Sequence, residues 1–388
     1  MKNKFESSDP IEAFSLVVHS HLQWDWVWQR PQQFITRLSH KHPVLFIETS
    51  ITEDNSAVAS QSHRHLADYP NIFVLNVQFP RNKWNDAHFV DAQRVRLVRE
   101  FIESPLGEPF ANPVQWFYDP MAVTAFAGKM NEIATVYDCM DELSKFKGAP
   151  QEMVDREKIL LEKADVVFAG GQRLYESKRR INSNCFFYGC GVDTAHFAKA
   201  RNLSKPSPLA HLPAPVLGYI GVIDERLDYQ LLADLADANK EWSIVMIGPV
   251  IKVSESSLPR RPNLHWLGGK AYTELPDYGG GFDLCLMPFA LNESTEFINP
   301  TKSMEYAAMA KPIVSTAILE FVERPSDFIS VANSHADFIA KCRESLANPD
   351  QQAIARGLSI AEKNTWDSIV DRLEGHILDV LNKKLELV

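Results

Sequence analysis

The feature that most constrains this chain is an alternation. Short, almost continuous apolar runs give way to longer amphipathic stretches, again and again. FSLVVHS (14–20), VLFIETS (44–50), IFVLNV (72–77), VQWFYD (114–119), ATVYDC (134–139) and DVVFAGG (165–171) read as strands. Between them, QQFITRLSHK carries Phe34, Ile35 and Leu38 at helical spacing, and AHFVDAQRVRLVREFI and QEMVDREKILLEKA extend the same pattern. Strands with little polar alternation are covered on both faces, and strand–helix–strand order makes them parallel. The pattern then restarts with VLGYIGVI (216–223), WSIVMIG (242–248), LHWLGG (264–269), FDLCLMPFA (282–290), PIVST (312–316) and FISVAN (328–333). The stretch RNLSKPSPLAHLPAPV, with four prolines and no period, separates the two sets. The expected fold is α/β, with two Rossmann-like parallel-sheet domains over 1–205 and 206–388. The closing helical stretch WDSIVDRLEGHILDVLNKKL is expected to cross back to the first domain. Ligands of such sheets bind beyond the carboxyl ends of the strands, so a central cleft faced by both domains is the expected site.

A length of 388 residues fits two domains. The formal net charge of −10 argues against nucleic acid as a partner, because phosphate binding wants a basic face. The N-terminus MKNKFESSDPIEAF has no apolar core of a secretory signal, and no run is long enough to span a membrane. Five cysteines without metal-ligand spacing read as buried reduced thiols, so the expected location is cytoplasmic. No Gly-x-Gly-x-x-Gly follows the first strand and no Walker motif is present, which disfavours NAD, FAD and P-loop chemistry. The absence of an Asp-x-Asp triplet disfavours a metal-chelated diphosphate. No cofactor and no metal are expected.

The segment INPTKSMEYAAMAKPIVST is the most specific functional signal. Pro300 suits the first turn of a helix and Asn299 suits its cap. Thr301 and Lys302 then stand where an anion would meet free backbone N–H groups and a full positive charge. Glu305, placed one turn on, can accept two hydroxyl hydrogen bonds, as from a ribose diol. A capped amphipathic helix with solvated Lys and Glu is the plainer alternative.

PTKSMEYAAMAKPIVST resembles the P-x-K-x-x-E-Y-x-A-x-G-K-P-V-V segment of GT-B glycosyltransferases, in the family-4-like branch of bacterial polysaccharide biosynthesis. YGCGVDTAHF, LGYIGVIDERLD and NLHWLGGKAYTELPDYGGGFDLCLMPF resemble further segments of that branch, in the same order. WDWVWQRPQQ and VYDCMDELSKF resemble pieces of its N-terminal domain. There are departures. The family's Glu-x7-Glu pair keeps Glu305, but Phe297 occupies the first position and Glu296 stands one place away. Ala310 replaces the usual Gly, and Val222 replaces an Arg.

The resemblance implies transfer of a sugar from an NDP-sugar, with UDP or GDP favoured, to a hydroxyl of a saccharide or lipid-linked saccharide. It implies a metal-independent, retaining reaction. Arg226 and Lys302 would meet the charge developing on the leaving diphosphate. Gly221, Glu296, Asn299, Pro300, Thr301, Lys302 and Glu305 would bind the donor. The acceptor side would draw on His21, Asp25, Arg30, Asp138 and Asp141, with the Trp residues of WDWVWQRPQQ against sugar faces. His19 reads more readily as a packed side chain than as a base. Arg173, Lys178, Arg179 and Arg180 on one stretch suggest a basic face for peripheral contact with the inner face of the membrane. Two rivals stand beside this reading. One is a catalytically degenerate scaffold that binds a saccharide or a partner. The other is a sugar-nucleotide epimerase.

Overall fold

The structure is a computed structural model. It describes residues 11–386 apart from 57, 147, 205, 297, 299 and 300. The chain divides into two compact units, one of residues 1–189 with 369–388 and one of residues 190–368. Residues 190–205 therefore lie in the second unit, and the end of the last helix lies in the first.

The first unit is built on an eight-stranded sheet. Its strands are β1 (Leu16–His19), β2 (Val44–Thr52), β3 (Ser60–Leu66), β4 (Tyr69–Pro80), β5 (Val114–Phe117), β6 (Ala134–Cys139), β7 (Val166–Ala169) and β8 (Cys185–Phe187), in the order β3-β4-β2-β1-β5-β6-β7-β8. All four residues of β1, β5 and β7 are buried, as expected of central strands covered on both faces. The sheet is not wholly parallel, contrary to the sequence reading. β3 returns antiparallel on β4 as an edge hairpin. Its sequence SQSHRHL is polar on both faces and mostly exposed, so it carries no hydrophobic signal.

The last helix, Trp366–Glu386, fastens to the first unit along its C-terminal part. Glu374 pairs with Lys41 at 2.8 Å and His42 at 2.9 Å, His376 stacks on Phe186 at 3.7 Å, and Lys384 reaches Asp165 at 2.7 Å.

The second unit holds a six-stranded, fully parallel sheet. Its strands are β9 (Val216–Ile220), β10 (Ser243–Ile247), β11 (Leu264–Trp266), β12 (Leu284–Met287), β13 (Ile313–Thr316) and β14 (Ser330–Ala332), in the order β11-β10-β9-β12-β13-β14. This is the doubly wound order, and it reverses between β9 and β12. Asp228 caps the helix Tyr229–Ala238 by accepting from the Leu231 amide at 2.8 Å. The turn after β10 passes so close to the loop after β9 that a Cβ on Gly248 would overlap the Gly221 carbonyl oxygen.

Candidate active site

The reversal of strand order puts the carboxyl ends of β9 and β12 side by side, and the two loops that leave them are laced together. The Ala290 amide donates to the Arg226 carbonyl at 2.8 Å and the Asp228 amide to the Pro288 carbonyl at 2.9 Å. Leu227 and Phe289 form a bridge between them. The helix after β12 runs from Lys302 to Ala308, so it starts later than the sequence suggested and Glu305 lies in its first turn. Asn299 and Pro300 lie outside the described residues. Thr301 precedes the helix without a side-chain cap. Tyr306, fully buried, ties this helix to β9, because its hydroxyl accepts from the Ile220 amide at 2.8 Å. Glu305 is thereby carried toward the end of β9, where its charge acts on the Tyr219 phenol.

Two cations stand on these segments, Arg226 on the loop after β9 and Lys302 on the helix after β12, and each is paired with an acid on its own element. The Arg226 guanidinium gives Nε to both Asp224 oxygens at 3.0 and 3.1 Å and Nη2 to Oδ2 at 2.8 Å. The Arg226 backbone N–H donates to the same carboxylate at 3.0 Å. Lys302 Nζ meets Glu305 Oε2 at 2.9 Å, with the two side chains 22% and 12% exposed. Burial raises the Tyr219 phenol well above its ordinary value, with Arg226 pulling it down and Asp224, Tyr229 and Glu305 pushing it up. Charges from both loops thus act on one buried ring. His196, held by stacking on Tyr272 at 4.4 Å and a 2.9 Å bond to the Tyr272 carbonyl, feels Glu305 as well. Burial lowers its pKa. Glu296 is half-buried behind the 3-10 turn Glu293–Thr295. Among the described residues, no group of three or more His, Cys, Asp or Glu side chains is placed to hold a metal ion.

In the first unit the sheet order reverses between β1 and β5, and the sequence-predicted acceptor residues lie near that end of the sheet. They do not form one set. Arg30 and Asp138 are both buried and pair with each other, at 2.8 Å from Nη2 and at 3.0 and 3.1 Å from Nε. Arg30 also donates to the Tyr188 carbonyl at 2.7 Å and lies over the Phe34 ring. Burial raises the Asp138 carboxyl against the opposing pull of Arg30. These two side chains fasten the helix Arg30–Leu38 to the end of β6, which corrects their reading as acceptor contacts. Asp25 is 74% exposed and pairs with Arg64 at 2.7 Å. Arg64 in turn reaches the buried Glu48, which also accepts from the Trp24 amide at 2.7 Å. His21 is exposed, and Asp141 is half-buried in the turn after β6. Trp24 is core, packed edge-on against Phe46 and Tyr69, whereas Trp26 is 43% exposed. His19 is buried between Phe117 and Phe126 and bonds Gln115 at 2.7 Å.

The basic face is also corrected in part. Lys178 is buried between Glu142 and Glu157, each at 2.8 Å, while Arg179 and Arg180 stay exposed. No helix among the described residues is long and apolar enough to cross a membrane.

Sequence reasoning missed Tyr219 and Tyr306, which anchor the site from below, and the Glu48–Arg64 pair. Tyr306 sits inside the motif already singled out, so its burial on the sheet-facing side of the helix was within reach of a helical wheel, though its hydrogen-bond partner was not. Arg64 lies on a strand that had no signal.

No protein-family model matches the chain. Over 186 residues, 46% of the chain, it is 28% identical to TuaH of Bacillus subtilis (strain 168), named as a teichuronic acid biosynthesis glycosyltransferase. That match covers 47% of the relative, so the chain spans about half the length of the curated relative it matches. Among solved structures, HepE of Anabaena, in complex with UDP and glucose, aligns over 94% of this chain and 99% of its own at 12% identity, with a TM-score of 0.67. Sucrose-phosphate synthase of Thermosynechococcus elongatus aligns over 88% and 90% at 15% identity, with a TM-score of 0.65. The α,α-trehalose 6-phosphate synthase of Burkholderia multivorans aligns over 95% and 99% at 12% identity, with a TM-score of 0.66. Two doubly wound units, together with this likeness along nearly the whole chain, give the protein the GT-B glycosyltransferase fold.

Proposed function

We propose that this protein is a glycosyltransferase that moves a sugar from an NDP-sugar to a hydroxyl of a saccharide or lipid-linked saccharide. The observation that carries the reading is that the loop bearing Arg226 and the helix bearing the Lys302–Glu305 pair are both tied down where β9 and β12 end side by side. A doubly wound sheet binds its ligand at that switch point. The likeness to TuaH and to the UDP-bound HepE supports a nucleotide-sugar donor, with UDP or GDP as the base to try first.

In this reading the bond from the sugar C1 to the diphosphate oxygen breaks with the electron pair left on the phosphate, the acceptor oxygen bonds C1, and the hydroxyl proton passes to the departing phosphate oxygen. Fixed cations must then meet the growing charge, and the two placed to do so are Arg226 and Lys302. Glu305 accepts the ribose hydroxyls once the diphosphate takes over Lys302. Gly221 lets the diphosphate approach the backbone, while Glu296 and Thr301 flank the sugar and the phosphates. The reaction needs no metal and retains the anomeric configuration. On the acceptor side, His21, Asp25 and Asp141 remain the candidates, and Arg30 and Asp138 act only by holding that end of the sheet. The protein works in the cytoplasm, with the exposed Arg179 and Arg180 as the remaining basic contacts for an anionic membrane surface.

The test is turnover. The protein is incubated with UDP- and GDP-sugars and a panel of saccharide and lipid-linked acceptors, and NDP release and glycoside formation are followed, with NMR reading the new anomeric configuration. A new glycoside, lost in Lys302→Ala, is the expected result. Tight NDP binding without transfer to any acceptor would favour the degenerate scaffold. The broken Glu-x7-Glu pair and the acid partner on each cation are the observations on that side. Interconversion of the donor sugar without an acceptor would mean an epimerase.

A further inference from the structure

The loop after β9 is odd for a site that grips a diphosphate. Its residues Asp224, Glu225, Arg226, Leu227 and Asp228 carry three acids against one cation. The single cation is held, in chelate fashion, by the nearest of those acids. Asp224 is itself buried and takes three contacts from the guanidinium and one from the Arg226 amide. Its backbone carbonyl accepts from the Tyr229 hydroxyl at 2.8 Å and from the Leu227 amide at 3.1 Å, so the carboxylate is fixed from behind. Arg226 could be oriented by a neutral acceptor such as Asn. A fixed, buried carboxylate does one thing more, which is to offset the guanidinium charge at short range.

Resting on the donor-site reading, we propose that Asp224 is a positioning residue that sets the strength of the grip on the nucleoside diphosphate, by orienting Arg226 and offsetting its charge. The physical need is clear. Binding that is equally strong before and after bond cleavage does not speed the chemical step, and a tightly held diphosphate product slows release. An acid locked onto the phosphate-facing cation weakens the hold on the product while keeping the cation aimed. Glu305 on Lys302 differs, because Glu305 has its own partner in the ribose. Asp224 has no other assigned ligand, and it remains against Arg226 in both states.

The proposal makes an unusual prediction, a gain of affinity on removing a site residue. Asp224→Asn keeps an oxygen for the Arg226 amide and Nε, removes the charge, and gives up the second acceptor, the oxygen that Nη2 meets. UDP and GDP are titrated calorimetrically against wild type, Asp224→Asn, Asp224→Ser and Arg226→Gln, at low and at moderate salt. The expected result is diphosphate binding about threefold to tenfold tighter in Asp224→Asn, with a steeper salt dependence and a lower kcat. Arg226→Gln weakens binding by at least about tenfold. Asp224→Ser, which also loses the charge, tightens binding less because it orients Arg226 less well, and it serves if Asp224→Asn does not fold. Weaker or unchanged binding in folded Asp224→Asn and Asp224→Ser overturns the proposal while leaving the donor site intact. Absence of any diphosphate binding to wild type at millimolar concentration overturns the donor-site reading itself.

Discussion

Breaking the Arg30–Asp138 pair tests whether these residues hold the fold or await an acceptor. Asp138 is 0% exposed and Arg30 is 6% exposed, so neither charge is solvated when the other is removed. Removing one partner of a buried ion pair costs about 3–5 kcal/mol, because the survivor is left uncompensated. Asp138→Asn keeps one acceptor oxygen and should lie at the lower end, about 3 kcal/mol. For a unit of this size each ~1 kcal/mol moves the melting point by about 2–4 °C, so a fall of at least about 6 °C is expected. Arg30→Met strands the carboxyl in a dry site, and its folded pKa, already raised by burial, rises further. The unfolded chain then releases its proton first. Stability is lost as pH climbs from about 4 through the folded value, by about 1.4 kcal/mol per pH unit. Arg30→Met should therefore trail wild type less at pH 5 than at pH 7.5. Chaotrope unfolding of wild type, both single variants and Arg30→Met/Asp138→Leu reads all of this. The double variant should lose less than either single one, since an apolar pair has no stranded charge. Losses below about 1 kcal/mol in both single variants, without coupling, would refute the argument and return Arg30 and Asp138 to the acceptor site.

Three further outcomes follow from local geometry. Ala310 has φ of 55° at the end of the helix Lys302–Ala308, where the Ala310 amide bonds Ala307 and the Lys311 amide bonds Tyr306. Ala310→Gly should stabilise the second unit by about 0.5–1 kcal/mol, the relief of left-handed strain less the added freedom of the unfolded chain, seen as a higher melting point. Burial lowers the His19 pKa to about 3, so the imidazole stays neutral in the fold. The unfolded chain takes up a proton below about 6.5, so stability should fall by up to about 1.4 kcal/mol per pH unit as pH drops, and His19→Phe should flatten that slope in acid-unfolding curves. Gly248→Ala would drive a methyl group into the Gly221 carbonyl, so it should cost at least about 3 kcal/mol and weaken diphosphate binding, measured by melting and calorimetry.

What the sequence made legible was whatever leaves a periodic trace. The central strands of both sheets stand out as apolar runs, because each is covered on two faces. β3 and the three-residue β8 left none, the one polar on both sides and the other too short. In the site, Lys302 and Glu305 could be singled out because they share one motif. The Tyr306 hydrogen bond to Ile220 spans 86 residues, and no local pattern reports it. Arg30 and Asp138 show the same limit from the other side. Their residue types suited ligand binding, and only burial, decided across a sequence separation of 108 residues, turned them toward each other. Lys178 read as one of four basic residues on a helix, yet two acids from elsewhere in the chain enclose it. The replacement of Gly by Ala310 was visible as a departure, and the structure shows its meaning in a positive φ.

The central claim is that a nucleoside diphosphate is held where β9 and β12 end, by Arg226, Lys302 and Glu305. The most direct test is calorimetric titration of UDP, GDP, ADP, dTDP and CMP into wild type, Lys302→Ala and Glu305→Ala. One diphosphate should bind wild type, and each substitution should weaken it by at least about tenfold, roughly 1.4 kcal/mol. Glu305→Ala should do so even though it frees Lys302, because the two ribose hydrogen bonds to a carboxylate outweigh that gain. No binding at millimolar concentration, or binding indifferent to both substitutions, would contradict the account.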